Sequence, residues 1–317
     1  MSSTPEHRAG HDMSGPDQAG AASSVVPCAD RQPGLSDRFL RAMLKSPLLP
    51  YGLRLKLNKM LCSNGPPLAY RTRVGGFLYQ GLAHNLIDNH VYYLGMYEPA
   101  IAAAMRFCVA VIPGLGQRGF VDIGANTGLF TLVGSGLFAS VHAFEPYPPV
   151  FARLKEHVRL NGLETVELYP LGLGEHGGEL PFMVPESDNY GTGHFLSPQE
   201  AAAAPHFPIM RGDEVLKQRA QPTGLIKLDV EGHEPQVLRG LSGLLNVDQP
   251  VVIMELNTIT KQAFGSMQAL MASFPPGYTP LAIGRKKETF SVEPFAWSKK
   301  QDNILVVPRH LKAVFNA

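Results

Sequence analysis

The sequence predicts an α/β fold, in which a doubly wound, mostly parallel sheet has an antiparallel last strand and follows an N-terminal helical extension. The chain has 317 residues, 44% of them hydrophobic and 17% charged, which is enough to bury the core of one large domain. Short apolar runs of strand length are separated by helical patterns, as in proteins with parallel sheets. Two of these runs end in an acidic residue, which is typical of the nucleotide-binding edge of such a sheet.

The N-terminal part divides into two predicted segments. Residues 1–37 are rich in Ser, Gly, Pro, Ala and His and lack hydrophobic periodicity, which predicts a disordered tail. Residues 38–69 form the helical extension, which Pro47 and Pro50 split into two helices. Its basic residues either bind an anionic partner or a membrane surface, or form the solvated face of packed helices, and the second interpretation is favoured. These residues are Arg38, Arg41, Lys45, Arg54, Lys56 and Lys59.

The main domain covers residues 70–317 and begins with a short hairpin around Gly75 and Gly76. A helix with a proline at its start follows at Pro99. Polar residues 187–193 form a loop that is either an ordinary turn or a lid over a substrate. The predicted core strands are 120–122, 141–145, 166–171, 225–229 and 251–257, with an extra strand at 179–184, a closing antiparallel pair at 278–283 and 303–307, and helices at 149–160 and 235–241.

A glycine-punctuated turn after the first core strand is the centre of the predicted site. Its spacing is D-x-G-x-N-x-G, from Asp122 through Gly124 and Asn126 to Gly128. Glycine permits positive φ and a close backbone approach, and the amides that open the next helix are unpaired donors. The next core strand ends at Glu145, and an acid at that position accepts hydrogen bonds from ribose hydroxyls. The arrangement predicts a nucleotide-type ligand, although the glycines alone would also fit a plain strand-to-helix turn.

The spacing of the turn distinguishes between two classes of nucleotide. Dinucleotide binding requires G-x-G-x-x-G, and here the third glycine is missing. The carboxylate of Asp122 would repel a pyrophosphate by roughly 1–4 kcal/mol, whereas it suits the ammonium and sulfonium of S-adenosylmethionine. A methyltransferase is therefore favoured over a nicotinamide oxidoreductase, and a protein that binds the cofactor without catalysis is also left open. Leu173 follows the third core strand, at a position where it would form part of the pocket for the nucleotide base.

A second group of polar residues follows the strand that ends at Asp229. Glu231, His233 and Glu234 crowd its carboxyl end, where ligands of open α/β sheets bind. His233, Asp229 and Glu231 are the predicted catalytic residues, and His233 is the natural general base because its ordinary pKa lies near neutral pH. In the alternative interpretation His233 caps the next helix and Glu231 solvates a turn.

A divalent metal is considered at the same edge of the sheet but is not assigned. Asp229, Glu255 and Asn257 would lie on neighbouring strand ends, and oxygen ligands of this kind suit magnesium or calcium. The favoured interpretation is that these carboxylates accept hydrogen bonds from loop amides, so no metal ligand is predicted.

Composition excludes several functional classes and indicates a compartment. The formal net charge of +1 gives no overall electrostatic footprint for nucleic acid. The three cysteines, Cys28, Cys62 and Cys108, lack C-x-x-C spacing, which argues against a structural zinc site or a disulfide scaffold. With no secretory signal pattern and no apolar run of about 18 residues, we expect a cytoplasmic protein without an integral membrane segment. The oligomeric state is not predicted.

Over residues 70–308 the chain resembles the FkbM-type methyltransferases. The segment at 226–234, in its order and spacing, is the most specific part of the resemblance, since many methyltransferases share the glycine turn. The motifs that carry the resemblance are Gly95-Met96-Tyr97-Glu98-Pro99, Val121-Asp122-Ile123-Gly124-Ala125-Asn126-Thr127-Gly128, Ala143-Phe144-Glu145-Pro146 and Ile226-Lys227-Leu228-Asp229-Val230-Glu231-Gly232-His233-Glu234.

The resemblance implies a Rossmann-like methyltransferase sheet in the domain of residues 70–317. It also implies S-adenosylmethionine as the cofactor and O-methylation of a small-molecule acceptor, typically a hydroxyl of a sugar or natural product. By motif, the cofactor would be held by Asp122, Gly124, Asn126 and Glu145, with Glu98 and Asp229 beside it. The identity of the acceptor does not follow from the resemblance.

Overall fold

The computed structural model describes residues 33–62, 67–185, 193–196, 203–284, 290–298 and 302–315. Residues 1–32 of the predicted tail and 187–192 of the predicted polar loop lie outside these ranges. The strands are β1 (Ala69–Val74), β2 (Phe77–Leu82), β3 (Gly119–Ile123), β4 (Ser140–Phe144), β5 (Val166–Tyr169), β6 (Gly172–Gly174), β7 (Gly178–Met183), β8 (His194–Phe195), β9 (His206–Arg211), β10 (Thr223–Leu228), β11 (Val251–Leu256), β12 (Thr279–Ile283), β13 (Val292–Pro294) and β14 (Asp302–Val307).

Helices connect most of these strands, and the 3₁₀ turns among the described residues lie at 115–117, 216–218 and 309–315. The α-helices are α1 (Leu35–Lys45), α2 (Tyr51–Cys62), α3 (Leu86–Leu94), α4 (Pro99–Val111), α5 (Leu129–Ser135), α6 (Pro148–Leu160), α7 (Gly212–Val215), α8 (Glu234–Gly240), α9 (Ser242–Asp248), α10 (Thr258–Phe264) and α11 (Met267–Ala272).

The central sheet has eight strands in the order β5-β4-β3-β10-β11-β14-β12-β13. β5, β4, β3, β10 and β11 are parallel, and β14 pairs antiparallel to both β11 and β12. The predicted α/β sheet with an antiparallel last strand is therefore confirmed. Strand order reverses between β3 and β10, so a crevice opens beyond their carboxyl ends.

Apolar cores on both faces of the sheet explain why its central strands are buried along their whole length. β3 and β10 have no exposed residue, as expected for parallel strands covered by helices on both sides. Successive side chains alternate, so Ile226 and Leu228 pack against α8 and α9, whereas Leu225 packs on the α4 side. The sheet thereby fixes the relative positions of the loops that follow β3, β4, β10 and β11.

A second sheet with the order β6-β9-β7-β8 is inserted between β5 and β10. The predicted extra strand at 179–184 is β7, while β8 and β9 were not predicted. Short strands with mixed burial give weak periodic signals, which is why the sequence pattern missed them. This sheet places Phe182 and Phe195 beside the crevice.

The N-terminal elements share one core with the main domain. The two predicted helices are α1 and α2, but α1 begins at Leu35, so the tail prediction was wrong for residues 35–37. The carboxylate of Asp37 accepts a hydrogen bond from the Gly34 amide at 3.0 Å and stabilises the helix start. Side chains of α1, α3 and the β1–β2 hairpin pack together with Leu129 and Leu132 of α5. The helix that follows the glycine turn therefore rests on the N-terminal segment.

Within the described ranges, no single helix is long and apolar enough to cross a membrane. α3 and α4 reach the necessary length and hydropathy only as a pair, and they are bent by 71° where they meet.

Candidate functional site

A cavity lies beyond the carboxyl ends of β3, β4, β10 and β11, where the topology predicts a ligand crevice. It brings together the glycine turn, the acidic end of β4 and the segment after β10. Seven of the predicted site residues line it, namely Gly124, Asn126, Glu145, Leu173, Asp229, Glu231 and His233. Asp122, Gly128 and Glu98 lie outside the lining.

The glycine turn is tight because two strand ends approach each other closely. Gly124 has φ +74°, and a Cβ at this position would lie 1.9 Å from the carbonyl oxygen of Asp229. The amides of Gly124 and Ala125 donate to the carbonyl of Phe144 at 3.1 and 2.9 Å. These bonds fix the turn against β4, and Gly128 (φ +89°) ends it at the start of α5.

Positive φ values at non-glycine residues are concentrated around the cavity. Glu98, Asn126 and Glu231 have φ values of 47°, 51° and 51°. Backbone in this region costs of order 1–3 kcal/mol per residue and is found mostly at functional sites. Asn126 and Glu231 line the cavity themselves, and Glu98, which immediately precedes α4, interacts electrostatically with Glu231 and Glu255.

Asp122 lies beneath the cavity. Its carboxylate is fully buried, and its Oδ2 accepts a hydrogen bond from Thr131 Oγ1 at 2.7 Å. Burial raises the pKa of Asp122, while Lys227 and Thr131 act in the opposite direction. Its Oδ2 is thus directed toward α5, and Asp122 is not among the residues that line the cavity. The expected contact between this carboxylate and the cationic end of a ligand stays a prediction.

Glu145 lies at the end of β4 with both carboxylate oxygens engaged. Oε2 accepts from the amide of Asn126 at 3.0 Å and Oε1 accepts from the amide of Tyr147 at 2.9 Å. Burial raises the pKa of Glu145 to about 7. Each oxygen retains a second lone pair, so the carboxylate can also accept a hydrogen bond from a ligand hydroxyl. It both orders the turn and lines the cavity.

Three carboxylates meet at the ends of β10 and β11. Asp229, Glu231 and Glu255 each have an oxygen within 4.8 Å of the others. Lys227 is buried and donates to Asp229 Oδ2 at 3.1 Å. Burial, followed by repulsion from Asp229, raises the pKa of Glu231 to about 7 and that of Glu255 to about 9. Among the described residues that line the cavity, the carboxyl groups therefore outnumber Lys227.

Glu98 adds to this negative environment from outside the cavity. Its Oε1 accepts a hydrogen bond from Asn303 Nδ2 at 3.0 Å. Repulsion from Glu98 contributes to the raised pKa of Glu255, and attraction to Glu98 contributes to that of Lys227. Glu98 therefore influences the site through its charge, but its side chain does not line the cavity.

Asn257 does not belong with the candidate metal ligands. Its side-chain oxygen accepts from the Thr260 amide at 2.9 Å and caps α10, and its Nδ2 donates to Glu231. The sequence could not distinguish a helix cap from a ligand, since asparagine after a strand suits both. Among the described residues, Asp229, Glu231 and Glu255 are the carboxylates close enough to share a cation.

His233 precedes α8 and lines the cavity beside Phe195, with ring centroids 5.5 Å apart. Its side chain makes no capping bond; the Glu234 carboxylate instead accepts from the amides of Val230 (3.0 Å) and Gly232 (2.9 Å). Burial lowers the pKa of His233 to about 4, so the imidazole is uncharged at neutral pH. Its Nε2 is buried and has no hydrogen-bond partner among the described residues.

A buried polar network that sequence reasoning missed holds the turn from the other side. The Tyr79 hydroxyl donates to Asp88 Oδ1 at 2.7 Å and lies 3.0 Å from Thr127 Oγ1. Arg153 forms an ion pair with Asp88 at 2.9 Å. His157 Nδ1 lies 2.6 Å from the Thr127 carbonyl oxygen. Arg153 and His157 share the buried face of α6 with its apolar residues, and that spacing was the only available sequence signal.

Comparison with known proteins identifies the family to which the chain belongs. The family model described as methyltransferase FkbM domain matches residues 122–296. That range begins at the acid of the glycine turn and includes β10 and β11, so it contains most of the cavity lining.

Two curated relatives match part of the chain. Hexuronic acid methyltransferase AglP of Haloferax volcanii is 33% identical over 134 residues, which cover 42% of this chain and 53% of that protein. Methyltransferase 1 of Beauveria bassiana is 29% identical over 157 residues, which cover 42% of this chain and 62% of that protein. The chain thus spans between half and two thirds of the length of these relatives.

Among solved structures, the methyltransferase FkbM of Methylobacillus flagellatus is similar at 16% identity, with a TM-score of 0.42. The match covers 60% of this chain and 44% of that one.

Proposed function

The chain belongs to the FkbM methyltransferase family, whose members use S-adenosylmethionine, and we propose that it methylates a hydroxyl group of a sugar or other small natural product. One observation carries the proposal. A single cavity joins a nucleotide-type turn, with Glu145 at its edge, to the carboxylates at the ends of β10 and β11. The name of the Haloferax relative, a hexuronic acid methyltransferase, supports a sugar-type acceptor.

The residues of the cavity fit the charge and shape of this cofactor. Glu145 would accept hydrogen bonds from its ribose hydroxyls, and Gly124 and Asn126, which line the same cavity, would help to hold it. Leu173 forms part of the wall for its base. Asp229 and the neighbouring carboxylates attract its ammonium and sulfonium groups. When bound, the cofactor supplies a methyl group that its positively charged sulfur makes electrophilic.

Among the predicted catalytic residues, Glu231 matches the role of general base better than His233, which the sequence favoured. A base works best when its pKa lies near the working pH, and the pKa of Glu231 is raised to about 7. The carboxylate of Glu231 would accept the proton of the acceptor hydroxyl, whose oxygen would gain the methyl group as its bond to the cofactor sulfur breaks and S-adenosylhomocysteine leaves. Asn257 donates a hydrogen bond to Glu231, and Lys227 forms an ion pair with Asp229 beside it. His233, with a pKa near 4, serves as an uncharged hydrogen-bonding partner of the acceptor.

Aromatic side chains favour a ring-shaped acceptor next to the carboxylates. Phe182 contacts Tyr147 and Phe195, with ring centroids 5.8 and 5.2 Å apart, and all three residues line the cavity. Such a wall offers an apolar surface to the C–H face of a sugar, while the hydroxyls point toward the polar groups.

Calorimetric titration with S-adenosylmethionine and, separately, with NAD tests cofactor choice. We expect binding of the first only, weakened by Glu145→Ala and unchanged by Glu167→Ala. The matched control carries the same substitution on a side chain that is 62% exposed on the neighbouring strand β5. Binding of NAD alone would refute the proposal.

The acceptor class needs a second assay, in which S-adenosylhomocysteine formation is measured with neutral sugars, uronic acids and phenols. Methylation of a sugar hydroxyl, shown by the mass and alkali stability of the product, is the expected result. An alkali-labile methyl ester would shift the proposal from hydroxyl to carboxylate acceptors. Cofactor binding without turnover of any acceptor would favour the non-catalytic alternative.

A further inference from the structure

Helices α1 and α2 pack on the core through Leu40, Met43, Leu44, Leu55 and Leu57, but they also bury three polar side chains and expose large apolar ones. Asp37, Arg54 and Asn58 are only 6%, 4% and 3% exposed. Five apolar side chains in the same segment are exposed: Leu35 (85%), Phe39 (74%), Leu48 (90%), Leu53 (44%) and Met60 (68%). A helix on a soluble core normally shows the reverse pattern. We call these five residues the apolar outer face.

Helical spacing places these residues on the outward side of each helix. Leu35 and Phe39 are one turn apart on α1, opposite the fully buried Leu44. Leu53 and Met60 are two turns apart on α2, and Leu48 lies in the turn that joins the helices. Both helices pack on α3 through their other sides. The face is therefore continuous in sequence from one helix through the turn to the next.

The same segment concentrates positive charge. Residues 35–62 contain six basic residues and one acidic residue, a net charge of +5 in a chain whose total is +1. Among the basic residues, Arg38, Lys56 and Lys59 are exposed on the helices that carry the apolar outer face. Exposed Phe and Leu flanked by Lys and Arg is the composition of helices that lie in the interface of an anionic membrane.

Charge decides between the possible occupants of this face. A second copy of the chain would bring one +5 segment against another, which like-charge repulsion opposes. Residues 1–32 contain no Leu, Ile, Phe, Trp or Tyr and so offer little apolar surface. Anionic phospholipids offer both the negative charge and the apolar interior. We propose that the apolar outer face docks this enzyme on a membrane surface that contains anionic phospholipids.

Vesicle co-sedimentation of the full chain tests the docking. We expect binding to vesicles of phosphatidylcholine with phosphatidylserine, weak binding to phosphatidylcholine alone, and release as salt is raised. Phe39→Ser should lower the partition coefficient roughly tenfold or more, because the membrane-bound chain no longer places this aromatic side chain in the apolar interior of the bilayer. Lys56→Gln with Lys59→Gln should lower it roughly thirtyfold, from the contribution of each cation near an anionic surface.

Val247→Ser is the matched control, since Val247 is an apolar residue 80% exposed on α9 in another part of the molecule. It should bind as the unaltered chain does. Each variant is also titrated with S-adenosylhomocysteine, so that loss of the fold is separated from loss of docking.

Three outcomes would overturn the proposal. The full chain could fail to bind anionic vesicles at low salt, or Phe39→Ser could reduce binding no more than Val247→Ser. Sedimentation velocity could show a dimer that Phe39→Ser dissociates, in which case a second copy covers the face. Vesicle binding could appear only after residues 1–32 are removed, in which case the chain's own N-terminal segment covers the apolar outer face.

Discussion

Replacing Tyr79 by phenylalanine removes a single hydroxyl that connects the glycine turn to the buried ion pair between Asp88 and Arg153. That hydroxyl donates to Asp88 at 2.7 Å and lies 3.0 Å from the hydroxyl of Thr127, a residue of the turn. All three side chains are at least 97% buried, so water cannot replace the lost bonds. The ring itself is retained, and its contact with His157 is preserved.

The expected loss of stability follows from the charge of the Asp88 carboxylate, which accepts the hydrogen bond from Tyr79. A hydrogen bond to a charged group contributes about 1.5–3 kcal/mol, and we expect the free energy of unfolding to fall by about that amount. The cofactor must then order Thr127 with its own binding energy, so its dissociation constant should rise roughly tenfold, equivalent to about 1.4 kcal/mol.

Tyr70→Phe is the matched control on the same hairpin. The Tyr70 hydroxyl donates to the backbone carbonyl of Asp88 at 2.7 Å, and no bond from it to Thr127 is described. Loss of this neutral bond should destabilise the fold by about 1 kcal/mol and leave cofactor affinity within about twofold.

Urea denaturation and calorimetric titration with S-adenosylhomocysteine measure the two quantities separately. If Tyr79→Phe destabilises the fold but leaves cofactor affinity unchanged, the network is a structural support only. Equal losses of affinity in both variants would also refute the argument, because the effect would then follow from general destabilisation of the hairpin.

Three further predictions concern the cavity itself. The ratio kcat/KM for S-adenosylmethionine, which reports the cofactor-free enzyme, should rise with pH through an inflection near 7, because Glu231 must lose its proton to act, and Glu231→Gln should remove the inflection; a rise centred near pH 4 would assign the base to His233. Gly124→Ala should abolish cofactor binding in a folded chain, since its Cβ would meet the Asp229 carbonyl at 1.9 Å, and retained affinity in calorimetry would contradict this. Activity should survive excess EDTA because Lys227 already supplies a cation to the site, and a loss that magnesium restores would instead place a metal among Asp229, Glu231 and Glu255.

Local patterns made the sheet and the cavity lining predictable. The glycine turn, the acid at the end of β4 and the segment after β10 are each contiguous in sequence, and parallel strands bring their carboxyl ends to one edge. Leu173 was placed by the same rule, and it does line the cavity. The order of the strands was therefore enough to predict which segments meet at the cavity, without any knowledge of side-chain positions.

Side-chain direction was less predictable. The alternation of β3 points Asp122 toward Thr131, and a sequence motif does not record which face of the strand an acid occupies. Asn257 was mistaken for a possible ligand because the start of α10, which it caps, lies only one residue away. The network of Tyr79, Asp88 and Thr127 joins residues up to 48 positions apart, and no local pattern reveals it.

The raised pKa values have a consequence for how the site becomes active. Without a cationic ligand, burial and mutual repulsion hold Glu231 near its titration midpoint at neutral pH and keep Glu255 protonated. A cation placed against these carboxylates favours their ionised forms and lowers their pKa values. In the proposed mechanism, the ligand that brings the positively charged sulfur would also ionise the carboxylate that takes the acceptor's proton. The excess of acidic over basic groups, which is costly to fold, would thereby couple cofactor binding to readiness for methyl transfer.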